Sequence, residues 1–114
     1  MKKKIFNCLN ELGITFNLIG REYLETAILM VLEKGKVSVT KELYPVIAEK
    51  HNTTASRVER AIRHSIEVCV DNTDPETIEK YFGNTISAYT GKAANSSFIY
   101  GIAKYIKVFE NEVI

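Results

Sequence analysis

Residues 47–64, IAEKHNTTASRVERAIRH, place a small residue (Ala48), a turn residue (Asn52) and two hydroxyls (Thr53, Thr54) ahead of a second amphipathic run. A bihelical unit of the helix-turn-helix kind needs a small side chain where its helices cross. Four positions on it needs a residue that tolerates φ > 0, and then apolar positions on the inner face of the second helix. Asn enters the left-handed region more readily than most non-glycine residues, so Asn52 suits the turn. Thr53 or Thr54 can cap the helix that follows. At about 100° per residue, Ala55, Val58, Ile62, Ser65, Ile66 and Cys69 share one side of that helix, with Ala61 beside them. Ser56, Arg60, Arg63 and Glu67 share the other, flanked by Arg57 and His64 on one edge and Glu59 on the opposite edge.

An arginine-bearing face on an arbitrary helix is usually only a solvated face. The turn upstream changes that reading. The guanidinium is a planar fork of donors that fits guanine O6 and N7 or a phosphate, and the major groove admits one helix. The first two turns of a recognition helix reach base edges in this motif. Ser56, Arg57, Glu59 and Arg60 are therefore expected at or near bases, with Arg63 and His64 on backbone phosphate. Glu59 can accept from a cytosine amino group or orient a neighbouring arginine, and both roles stay open here. The expected partner is double-stranded DNA.

The 114 residues suit one domain, and 46% hydrophobic with 25% charged residues is ordinary globular composition. A net charge of +1 means that affinity for DNA must come from local segregation of charge. Such a domain is expected to bind weakly alone and to gain from dimerisation or tandem sites. Cys8 and Cys69 are too few and too far apart for a disulfide framework or a zinc site, so no metal or cofactor is expected and a reducing cytoplasm fits. MKKKIFNCLNEL lacks the apolar core of a secretory signal, and the longest apolar run, AILMVL at 27–32, is far short of the ~20 residues a membrane span needs.

The rest of the chain reads as helices. A first helix is expected over 3–12, with Ile5, Phe6, Leu9 and Leu12 at helical spacing and Gly13 as its stop. A second spans about 21–34, with Tyr23, Leu24, Ala27, Ile28, Val31 and Leu32 as an apolar stripe ended by Gly35. Thr40 is a plausible cap for a third, running to about His51 with Leu43, Tyr44, Ile47 and Ala48 inward. Pro45 requires that helix to begin near Tyr44 or to bend there. After a polar break at Asp71–Asp74, Pro75 opens a short helix to Gly83. Thr85–Tyr89 reads as a further turn or an irregular stretch. Asn95 or Ser96 then caps a last helix to about Glu112, with Phe98, Ile99, Ile102, Ala103, Ile106 and Phe109 spaced for burial. Alternation of strand type occurs only at Lys36–Thr40, too little for a sheet. The expected fold is all-α, a compact bundle of five to six helices containing a helix-turn-helix, in a single domain over 1–114.

Gly91–Ser97 forms a mildly basic approach to a helix N-terminus, where amides and the dipole favour phosphate. Lys92, Asn95 and Ser96 are the candidate contacts. Catalysis is not expected: His51 and His64 sit on different elements, the glutamates read as helix-surface residues, and no glycine-rich phosphate loop precedes a basic residue. The competing reading is a helical protein-interaction module that uses the basic face without reading DNA.

The stretch LYPVIAEKHNTTASRVERAIRHSIEV (43–68) resembles the DNA-binding effector domains of the stage zero sporulation A response regulators. Further likeness lies in GITFNLIGREYLETAI (13–28), in Tyr81-Phe82-Gly83-Asn84-Thr85, and in Lys92 with Asn95-Ser96-Ser97-Phe98-Ile99. The resemblance implies a six-helix domain whose helix 55–70 enters the major groove of a promoter element. Arg57, Glu59 and Arg60 would then read bases, supported by Ser56, Arg63 and His64. It also implies tandem dimers on paired elements, activation or repression of transcription, and contact with the RNA polymerase sigma subunit. The sequence departs from the family in two respects. These 114 residues hold no counterpart of the phosphoacceptor receiver domain, and His51 replaces the usual aromatic before the turn, where an imidazole reads as a half-buried packing residue.

Overall fold

The computed structural model describes residues 2–83 and 95–110. Among these the chain forms six α-helices: α1 (Lys2–Glu11), α2 (Gly20–Lys34), α3 (Tyr44–Lys50), α4 (Ala55–Asn72), α5 (Pro75–Phe82) and α6 (Asn95–Tyr105). No strand occurs among the described residues, as the period of the apolar positions predicts. No described helix is long and apolar enough to cross a membrane.

Helix α2 is the hub, packing most extensively on α4 and α6. Its inward stripe is Tyr23, Leu24, Ala27, Ile28, Met30 and Val31, while the expected Leu32 is only partly buried. Glu22 in the first turn and Lys34 in the last complement the helix dipole. Gly35, at φ +81°, ends it by donating its N–H to the Val31 carbonyl at 2.8 Å. Helix α1 ends in the same manner: Gly13 has φ +73°, and Gly13 and Ile14 donate to the carbonyls of Asn10 and Leu9, both at 3.0 Å.

Three expectations are corrected. The segment before α3 starts at Ser38, not Thr40: Ser38 Oγ accepts from the Lys41 amide at 3.2 Å and a π-helical turn covers Val39–Leu43. The widened turn sits just before Pro45, whose ring would crowd the Lys41 carbonyl in a continuous α-helix. Phe6 is 38% exposed, and Cys8 takes the inward place beside Ile5 and Leu9. Phe109 is 57% exposed although Phe98, Ile99, Ile102, Ala103 and Ile106 are buried. A second π turn, Ile106–Glu110, spends an extra residue on the last rotation and carries Phe109 off the apolar stripe.

Helix α4 also runs further than expected, through Asp71 and Asn72, so that Val70 is buried and the break shrinks to Thr73 and Asp74. Thr73 Oγ1 then donates to the Leu12 carbonyl at 2.7 Å, tying the end of α4 to the end of α1. Asp74 caps α5 through the Glu76 amide at 3.2 Å, with Pro75 at the first helical position.

Two features that periodicity does not reveal hold these helices in place. Gly20 lies against α4 so closely that a Cβ there would stand 2.2 Å from the Ala61 carbonyl oxygen and 2.3 Å from Ser65 Oγ. Arg21, 1% exposed, reaches Asn10 Oδ1 at 2.7 Å, Glu25 Oε1 at 3.3 Å and the carbonyls of Ile14 and Phe6. Its guanidinium carbon lies 5.0 Å from the Phe6 ring centroid and 4.1 Å from that of Phe16. The outward turn of Phe6 is thus the geometry that roofs a buried cation.

Gly20→Ala should destabilise the fold by about 1 to 3 kcal/mol, because neither the Ala61 backbone nor α2 can move aside cheaply; urea unfolding checks this, and an unchanged midpoint would contradict the close approach. The Glu11 carboxylate accepts from the Tyr81 hydroxyl and, at 2.9 Å, from Lys80 Nζ, and these bonds hold its pKa below the ordinary carboxylate range. A lowered carboxylate pKa contributes stability that is present above the unfolded-state value and lost as pH falls through the folded one. The loss of stability in Tyr81→Phe should therefore be larger at neutral pH than in acid, as paired denaturation curves would register.

Candidate nucleic-acid interface

The turn between α3 and α4 is built as its residue types require. Asn52 has φ +54°, the one non-glycine residue with positive φ among those described. Asn52 and Thr53 donate to the carbonyls of Glu49 and Ala48 at 3.3 and 2.8 Å, the paired bonds that close a helix through a left-handed residue. Thr54, in extended conformation, accepts the Arg57 amide on Oγ1 at 3.2 Å and so caps α4. Of the two threonines open as caps, it is the second that acts.

Beyond the cap, α4 divides as its periodicity predicts. Val58, Ile62, Ser65, Ile66 and Cys69 are buried, with Ala55 and Ala61 partly so. Ser65 is tolerated in the core because its hydroxyl donates to the Ala61 carbonyl at 3.0 Å. Burial pushes the Cys69 thiol up to about 11, which leaves it protonated and unreactive at neutral pH. On the outer side Ser56, Arg57, Arg60, Arg63, His64 and Glu67 are exposed.

The three arginines differ in their engagements. Arg63 Nη1 lies 3.1 Å from Glu59 Oε1, an i, i+4 pair along the helix, and Glu59 is half-buried. Arg57 and Arg60, exposed on the first two turns of α4, bond to no described side chain. Glu59 is thus paired with Arg63 in this structure.

The remaining candidates separate. Ser96 is exposed on the first turn of α6. Asn95 is not free: its Nδ2 donates to Tyr44 Oη at 2.8 Å and to the Glu59 carbonyl at 3.2 Å. Lys92 and the expected turn at Thr85–Tyr89 lie outside the described residues. His51 packs edge-on against Tyr23, with centroids 5.0 Å apart, and its Nε2 stands 3.4 Å from Thr26 Oγ1, the packing role read from sequence. The tie from Asn95 to Tyr44 and α4, and the cage around Arg21, escaped the sequence reading, since no spacing rule joins residues 51 positions apart.

A comparison with known families matches residues 5–106 to the family described as Sporulation initiation factor Spo0A C terminal. The match spans every described helix except the first three residues of α1 and the last four residues of the closing π turn.

The turn chemistry can be tested alone. Asn52→Val should cost about 1 to 2 kcal/mol because a β-branched residue is strained at positive φ, whereas Asn52→Gly should be close to neutral. Thermal melts of the two variants should differ accordingly, and equal Tm values would argue against the left-handed turn.

Proposed function

The chain belongs to the C-terminal family of the sporulation initiation factor Spo0A, a DNA-binding domain that regulates transcription, and from that membership we propose a sequence-reading role for α4. In this reading the N-terminal half of α4 lies in the major groove. Arg57 and Arg60 donate to base edges there, with Ser56 beside them. The observation that supports it most is that Arg57 and Arg60 bond to no described side chain while Arg63 is held by Glu59. A guanidinium already committed within the protein is a poor reader of bases. A held one is well placed to meet a fixed phosphate oxygen.

Arg63, His64, Ser96 and, outside the described residues, Lys92 are assigned to the phosphate backbone. Glu59 orients Arg63. The net charge of +1 gives little non-specific attraction, so occupancy of a promoter gains from two copies on neighbouring elements. Contact with the RNA polymerase sigma subunit is part of the same proposal and rests on the resemblance alone. The described residues are taken to act as one domain.

Selection from a random duplex pool should yield a preferred site. On it Arg60→Ala should cost about 1 to 3 kcal/mol and relax selectivity at one position, whereas Arg63→Ala should weaken all duplexes alike and reduce the salt slope by about 1. Equal losses from both substitutions on every duplex would refute this division of labour. Binding without any sequence preference would favour a protein-interaction module instead.

A further inference from the structure

Asn95, the first residue of α6, joins three helices through one amide. Its nitrogen offers two hydrogens, and both are engaged: one with Tyr44 Oη on α3 at 2.8 Å, the other with the Glu59 carbonyl on α4 at 3.2 Å. Tyr44 is only 7% exposed and so is no candidate for touching a duplex. The Glu59 carbonyl lies in the second turn of α4, level with Arg57 and Arg60. It already receives the Arg63 amide within the helix, and its second lone pair lets Asn95 bind from the side without breaking that bond.

We propose that Tyr44 and Asn95 form a positioning clamp for base readout, fixing the roll of the first two turns of α4 and so the aim of Arg57 and Arg60. The inference rests on the DNA-reading proposal above, but it gives Asn95 a role different from a phosphate contact. The apolar contacts beneath α4 set its distance from the core and resist rotation only weakly, whereas a hydrogen bond has direction. A roll of about 10° displaces a group ~6 Å from the helix axis by about 1 Å, enough to spoil a bidentate contact. Burial raises the Tyr44 phenol above its ordinary value, against the opposing effect of the Asn95 bond, so the hydroxyl stays neutral near pH 7. Glu59 and Arg63 are the charged groups that act on it. They also form the ion pair on the outer side of the same turn, so the clamp and the phosphate-facing arginine share one residue.

The test uses the whole chain with Tyr44→Phe, Asn95→Ala and the two combined. Amide hydrogen exchange without DNA should quicken about threefold to tenfold at residues 58–63 in each single variant, with α2 unaffected. The double variant should be no faster than Asn95→Ala, because both changes act through one side chain. On DNA, the ratio of affinities for the selected duplex and one altered at the base read by Arg60 should fall by a similar factor, with the salt slope unchanged. Unaltered exchange in both single variants overturns the clamp. So does a uniform loss on all duplexes for Asn95→Ala with no effect of Tyr44→Phe, which would make Asn95 a backbone contact. A parent chain indifferent to duplex sequence overturns the DNA reading beneath it, and exchange measured without DNA tells that failure from failure of the clamp.

Discussion

The backbone of α2 meets the backbone of α4 at Gly20, with no side chain between them, and the rest of the domain is arranged around that contact. A Cβ at this position has no room beside the Ala61 carbonyl and Ser65, so the two helices approach more closely than ordinary side chains would permit. Because α2 also carries α6 on another side, the crossing sets where both neighbours of the hub can lie. The outer face of α4 is exposed as a consequence: its inner face is spent on burying Val58, Ile62, Ile66 and Cys69 in the core. A second close approach, Gly101 against the Phe82 ring, repeats the device between α6 and α5.

Polar ties then remove the freedom that apolar packing leaves. Among the described residues every buried side-chain nitrogen and oxygen has a hydrogen-bond partner, including those of Arg21. Arg21 knits α1, the chain after Gly13 and α2 into one unit, and Tyr100 binds the Val37 backbone through both its donor and its acceptor, tying α6 to the segment after α2. Such bonds add modestly to stability, but leaving one partner unsatisfied is costly, so each tie excludes alternative packings of the same helices. The proposed interface for DNA sits on a frame of this kind, with a local cap at Thr54 and a long-range tie at Asn95.

Local chemistry was readable from the residues themselves. Asn52, Thr54, Asp74-Pro75, Gly13 and Gly35 mark their turns because backbone φ, a missing N–H or a capping oxygen depends on residue type and near neighbours alone. The division of α4 into an apolar and an arginine-bearing face follows equally from a period of 3.6 residues. The misreadings occurred where that period changes: a π turn before Pro45 moved the start of the third helical segment, and another after Tyr105 turned Phe109 outward. Phe6 was misread for a different reason, since its place is set by a cation fifteen positions away.

Sequence alone determined the helical class, the helix-turn-helix and which arginines face outward, for these depend on interactions spanning a few residues and on amino-acid chemistry. Only the tertiary structure decided that Arg63 is held while Arg57 and Arg60 bond to no described side chain, that Arg21 is buried, and that Asn95 grips α4. Those outcomes depend on which helices come within hydrogen-bonding distance, and that distance is set by the whole packed chain, starting from a glycine with no side chain to keep α2 and α4 apart.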